Sequence, residues 1–323
     1  GSSLVLGKIE VLAMDLDDGW INVDQVTDTE WKIAGDPLPE IPTGTLPTTP
    51  AEWLARANEV LPQLLVALQQ TEPTIDLERA SFDQFEVRVR ARDGASLLTL
   101  KAAKGRVART DGGIVLSVSG SVVGEGLPAG LAATLETSNS GQQLKAEFAV
   151  AKWPLADLAI RFGMSSERFE GLPANVVVSF DVSNAAGVEQ IIIEVDAGTG
   201  RLPIGSDGLG VESLKLRAAY AASTDTLSID ASTAGAGPLK GNAVLTVQDA
   251  MKGETFRKFS LVSSELELDL TPRLERPVPI SRLNLSGEVD LATYAFRGAE
   301  MSLRTGDDTL NASGTFQFTP DRK

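Results

Sequence analysis

The chain has 323 residues, of which 44 are acidic and 29 basic, for a formal net charge of −15. That balance disfavours nucleic acid as a partner and argues against a strongly anionic membrane surface. Cysteine and histidine are both absent, which removes disulfides, thiolate chemistry and the commonest general base and transition-metal ligand.

In chain order, the opening Gly1-Ser2-Ser3 without an initiator methionine reads as a scar on an excised segment. Residues 4–34 read as the first strands, through Leu4, Leu6, Ile9, Val11, Trp20, Ile21, Val23, Trp31 and Ile33. Residues 36–50 read as an extended connector held open by Pro37, Pro39, Pro42, Pro47 and Pro50. With the strands they form an N-terminal region, residues 1–48. An amphipathic helix is expected over 49–72. Thr49 is its N-cap, Pro50 its first helical residue, and Glu52 completes a capping box. Trp53, Leu54, Ala57, Val60, Leu61, Leu64, Leu65 and Leu68 recur at three- and four-residue spacing and share one face. Pro62 should kink this helix or split it in two.

From Thr74 onward one pattern repeats, a strand of alternating residues followed by a turn rich in Gly, Asp or Asn. The turns are Asp93-Gly94, Asp111-Gly112-Gly113, Asn139-Ser140-Gly141, Asn184-Ala185-Ala186-Gly187, Gly205-Ser206-Asp207-Gly208, Gly235-Ala236-Gly237-Pro238 and Gly306-Asp307-Asp308. Residues 73–162 form a first meander and 163–323 a second that continues it, divided near the helical turn expected at 153–159. Val176, Val178 and Phe180 alternate with Ser179 and Asp181; Leu266, Leu268 and Leu270 alternate with Glu265, Glu267 and Asp269. A strict period of two gives one apolar and one wet face. The fold class is mainly β: a long curved antiparallel meander forming a taco-like groove, with one principal amphipathic helix. One-sided sheets of this size curl or split, and a helix of about 20 residues, about 30 Å long, is too short to cover the apolar side. The lining expected of that groove is Val176, Val178, Phe180, Ile191, Ile193, Leu214, Leu216, Leu266, Leu268, Leu270, Leu283 and Leu285, as one concave strip.

Recognisable chemistry is scarce. Asp15, Asp17, Asp18 and Asp24 around Gly19 resemble a calcium loop but run one residue short of the EF-hand spacing, so a solvated strand end is the ordinary reading. Glu265, Glu267 and Asp269 lie side by side on a wet face, with nothing to raise a pKa. No glycine run fits a phosphate loop or dinucleotide fingerprint. Asn284-Leu285-Ser286 and Asn311-Ala312-Ser313 match the short glycosylation sequon. No catalytic residue, metal or cofactor is expected.

Several runs carry a resemblance. The Leu- and Pro-containing helix is followed by TIDLERA at 74–80, VRVRARDG at 87–94 and GRVARTDGG at 105–113; AGTGRL at 197–202 leads to VESLKLRAAY at 211–220, and LNLSGE follows at 283–288. Together they resemble the AsmA-like proteins of Gram-negative bacteria, especially the large YhdP type. The resemblance implies a non-enzymatic segment of a longer protein anchored in the inner membrane and projecting through the periplasm. It further implies a hydrophobic β-groove that carries lipid of the phospholipid class between inner and outer membrane, with a role in outer membrane biogenesis. Other envelope proteins are possible partners. The alternative is a structural or adhesive β-protein, a closed solenoid or barrel that scaffolds partners in the cell envelope.

Overall fold

A computed structural model gives the fold and describes residues 13–27, 30–37, 50–70, 79–110, 113–124, 127–138, 142–157, 170–202, 209–234, 239–251, 255–269, 277–290 and 295–317. The expected strand residues Leu4, Leu6, Ile9 and Val11, the cap Thr49 and the groove residue Leu270 lie outside them. The chain is mainly β and forms a meander with one long helix and a single helical turn at 155–157 among the described residues. It divides into two compact units, Gly1–Ala151 with Phe180–Val188, and Lys152–Ser179 with Glu189–Lys323. The division begins just before the expected helical turn, and a short return of the chain to the first unit was not anticipated.

In the first unit, β1 (Ala13–Gln25), β2 (Trp31–Ile33), β3 (Asp36–Pro37), α1 (Pro50–Gln70), β4 (Arg79–Arg90), β5 (Ser96–Thr110), β6 (Gly113–Val123), β7 (Gly130–Ser138) and most of β8 (Gln143–Pro154) follow in order. Asp36 and Pro37 therefore belong to a strand, paired with β2, rather than to the connector. β4 to β8 pair antiparallel in sequence. β1 departs from the expected antiparallel pattern: it pairs parallel with β4, Ala13 opposite Arg79 through Asp24 opposite Arg90. A parallel pair needs a long crossover, and the stretch from β2 through α1 supplies it. Pro62 does not split α1, which runs unbroken as 21 residues. The proline removes only the one N–H that would have bonded the Asn58 carbonyl.

Strand glycines and aromatics build this unit's core. Phe85, Leu100 and Ala103 are buried, with Ile21, Phe82, Val87, Val118, Val122 and Leu131 packed on them. A Cβ on Gly19 would come within 2.7 Å of the Phe85 ring, and one on Gly105 would collide with Phe82. Both aromatics thus lie flat over backbone that carries no side chain, and their rings sit 5.2 Å apart. Asp18, Gln84 and Ala102 take left-handed φ values of 52°, 55° and 48°. They fall at the same level of β1, β4 and β5, where the register steps over them.

The second unit holds β9 (Glu170–Gly171), the start of β10 (Pro173–Ser183), most of β11 (Gly187–Ala197), β12 (Gly200–Leu202), β13 (Leu209–Val211), β14 (Ser213–Ala221), β15 (Thr226–Ala234), β16 (Leu239–Gln248), β17 (Phe256–Leu268), β18 (Val278–Ile280), β19 (Arg282–Asp290), β20 (Ala295–Thr305) and β21 (Asp308–Gln317). β11, β14, β15, β16, β17, β19, β20 and β21 form one antiparallel ladder in that order. β9, β12 and β13 make a separate small sheet.

One end of the ladder is locked by Asp225. The Tyr220 hydroxyl donates to its carboxylate at 3.0 Å, and the Met251 N–H donates to the same oxygen at 3.1 Å. The Ala250 N–H donates to the Asp225 carbonyl, and the Arg257 Nε–H to the Ala250 carbonyl, both at 2.9 Å. Phe259 and Phe296 meet edge to face at 5.2 Å near that end.

Candidate lipid-binding face

Directly opposed residues of an antiparallel pair point to the same side of the sheet, so the register of the second unit assigns its faces row by row. One row reads Ile193, Ala218, Ile229, Leu245, Leu261, Leu285, Met301 and Ala312 across eight strands. The row on one side reads Ile191, Tyr220, Leu227, Val247, Phe259 and Gly287. On the other, Val195, Leu216, Ala231 and Ala243 line up, and Ser263, Leu283, Leu303 and Leu310 continue at that level beyond a bulge in β17. A fourth row holds Ala197, Leu214, Thr233, Gly241, Leu266 and Ile280. With strands about 4.8 Å apart, the long row spans about 34 Å.

The structure therefore brings Ile191, Ile193, Leu214, Leu216, Leu266, Leu283 and Leu285 onto one face. Leu268 joins by backbone register, opposite Leu239 and Val278, its side chain lying outside the description. Val176 is buried and Val178 half-buried; their odd-numbered neighbours Asn175 and Val177 open on the polar side. Phe180 belongs to the first unit, where its ring meets Phe148 at 6.3 Å. Exposure grades along the face. Tyr220, Val247 and Phe259 are buried at the Asp225 end, the central leucines are half-buried, Ile193 is 36% exposed and Leu310 56%. Sequence reasoning missed Ile229, Leu245, Leu261, Met301 and Leu303, whose own period of two was the available signal.

The opposite face is polar. Glu194, Arg217, Asp230, Val244, Val262, Asn284, Ser302 and Asn311 form one of its rows. Glu194 pairs with Arg217 at 3.3 Å, and Lys240 with Glu267 at 3.1 Å. A depression of about 630 Å³ opens on this side, lined by Asn175, Asp196, Lys215, Ser232, Asn242 and neighbours. A second, of about 450 Å³, is lined by both sequon asparagines, Asn284 and Asn311, with Ser286, Glu300, Ser302 and Ser313. These hollows lie across the sheet from the apolar rows that sequence reasoning placed on a concave surface.

In the first unit, α1 carries Leu61 and Leu65 buried, with Leu54 and Val60 half-buried. The side chains of Trp53, Leu64 and Leu68 lie outside the description. The helix is tied to the chain after β10 by Asn58, whose Oδ1 accepts the Val188 N–H at 2.8 Å.

The four aspartates of the calcium-like run lie along β1 rather than at a strand end. Asp15 meets Arg79 at 3.3 Å and accepts a hydrogen bond from Ser81; Asp24 meets Arg90 at 2.7 Å. Among the described residues, no group of three acidic side chains could hold a metal ion, and no helix is long and apolar enough to cross a membrane. No family model, curated protein or solved structure matches the chain.

Proposed function

We propose that the chain is a lipid-handling segment of a bacterial envelope protein of the AsmA-like kind, working in the periplasm, with phospholipid acyl chains laid on the apolar face of the second unit and no reaction catalysed. The observation that carries this reading is the row structure. One row is apolar across all eight strands and is flanked by mostly apolar rows, its central residues remain partly exposed, and no described helix of that unit is long enough to cover it. Apolar patches beyond a few hundred Å² are uncommon on monomers and mark binding surfaces. Acyl chains suit a surface with much greasy area and few polar handles, since each buried CH₂ contributes about 0.8 kcal/mol.

The test is lipid capture. The purified chain should carry phospholipid detectable by mass spectrometry and bind a fluorescent phospholipid. Leu285→Glu, in the middle of the long row, should reduce that binding at least tenfold, while Ser286→Glu on the polar side leaves it unchanged. A folded wild type that binds no lipid ends the reading. The polar hollow beside Lys215 and Asn242 supports the alternative, a scaffold for polar partners. In that case Ser232→Trp, which fills the hollow, abolishes partner binding and Leu285→Glu does not.

A further inference from the structure

We propose that the polar side of the first unit binds an acidic polysaccharide, a sugar chain bearing carboxylates, on a strip that runs over β5 and β6 and has Trp20 at one corner. The register assigns this side. Phe85, Leu100 and Ala103 point into the core, and Gly19 and Gly105 lie under the rings of Phe85 and Phe82. Their neighbours Trp20, Glu86, Lys101, Lys104 and Arg106 therefore point the other way. β5 carries Lys101, Lys104, Arg106 and Arg109 and no acidic residue, and β6 carries no charge. Ser121, Ser119 and Ser117 stand directly opposite Lys101, Lys104 and Arg106, so each cation has a hydroxyl beside it along about 15 Å of strand. All three cations are exposed. Lys104 reaches Asp83 at 3.1 Å, whereas Lys101 and Arg106 make no ion pair among the described residues.

Trp20 is 61% exposed, the most of the large hydrophobic residues described, and it stands on a side that is otherwise polar. Arg88 lies 5.6 Å from the centre of its ring and pairs with Glu86 at 2.8 Å, which holds the indole in place. Glu86 sits opposite Trp20, and Lys101 follows at the same level of β5, about 10 Å from Trp20 across two strand spacings. This set of groups selects its occupant. Ammonium, guanidinium and hydroxyl donors suit carboxylates and sugar hydroxyls, and the flat indole suits the C–H face of a sugar ring. In a chain of net charge −15, two adjacent strands with four bases and no acid complement an anionic ligand locally. That ligand must be narrow, because Asp15, Asp17 and Asp83 border the strip on β1 and β4. A flat anionic membrane would press on those carboxylates, while a single chain passes beside them. The site belongs to the other unit from the apolar face, and neither reading depends on the other.

Titration calorimetry on the whole chain tests the proposal. Hexagalacturonate should bind, and maltohexaose, equally long but neutral, at least tenfold more weakly. Replacing Lys101 and Arg106 together by alanine should weaken hexagalacturonate binding at least tenfold, and Trp20→Ala at least fivefold. Melting temperatures should stay unchanged, because all three side chains are exposed. Trp20→Phe, which keeps an aromatic face, should retain most of the binding, and Lys215→Ala in the second unit should leave it unaltered. Equal binding of the two sugars, no binding of the acidic one, or a Trp20→Ala variant that binds like wild type overturns the proposal. Phosphatidylglycerol vesicles held through Lys101 and Arg106 when hexagalacturonate is not would overturn it too, and assign the strip to a membrane surface.

Discussion

Asp225 shows how much a single residue can hold. It is buried, left-handed, and accepts from both the Tyr220 hydroxyl and the Met251 N–H. Asp225→Ala orphans the buried Tyr220 hydroxyl, at about 1–3 kcal/mol when left unsatisfied, and the half-buried Met251 N–H at less, so a loss of about 2–4 kcal/mol in denaturant unfolding is expected. The same contact sets a pH response. Burial, and then the Asp225 carboxylate, push the Tyr220 hydroxyl up to about 12 from its ordinary 10. The folded chain therefore holds that proton more tightly than the unfolded chain. This contribution is fully present below pH 10 and is lost as the pH rises from 10 through 12. Melting measured across that window should fall more steeply in wild type than in Tyr220→Phe; parallel slopes would dissociate Tyr220 from the effect.

At the scale of elements, α1 is held by its buried residues and one polar tie. Leu65 has no exposed surface, so Leu65→Ala should cost about 2–5 kcal/mol. Asn58→Ala, which strips the Val188 N–H of its acceptor, should cost about 1–2 kcal/mol. Val66 is 41% exposed, so Val66→Ala should change the melting temperature little. The helix was legible because its cap, its 3.6-residue period and its flanking prolines all agree. The meander was legible through its turns: Gly94, Gly187 and Gly306 all take the positive φ their positions suggest. The apolar rows were legible wherever leucine and isoleucine alternate with charge. They were obscure in β15, β16, the first half of β17 and β20, where alanine, serine, threonine and glycine blur the contrast. The parallel pairing of β1 was not legible, because joining residues 13–24 to residues 79–90 depends on the fold rather than on neighbours. The packing of Phe82 and Phe85 over Gly105 and Gly19 left a readable trace, glycine inside an otherwise good strand.

Charge decides behaviour at the scale of the whole molecule. A net −15 opposes both self-association and approach to anionic lipid, and both oppositions are screened over about 10 Å at 0.1 M salt. Capture of a zwitterionic phospholipid should therefore exceed that of an anionic one with identical chains at low salt, and the gap should close as salt is added. A preference for the anionic lipid that strengthens at low salt would point to a local basic site on the lipid path.

The aligned left-handed residues Asp18, Gln84 and Ala102 bear on how such a sheet assembles without error. Strands of similar composition and a period of two tolerate a slip of two residues, because every side chain returns to its proper face. A chain built this way risks kinetic traps that hydrophobic patterning cannot reject. A bulge at one level of three neighbouring strands acts as an index mark. Any slip sets a left-handed residue against regular backbone and lifts Phe85 off the bare backbone of Gly19, so misregistered sheets lose both the bulge alignment and the ring contact. Moving the mark, by deleting Ala102, is expected to slow refolding and populate misfolded species even where the final stability of the correctly paired chain is little changed.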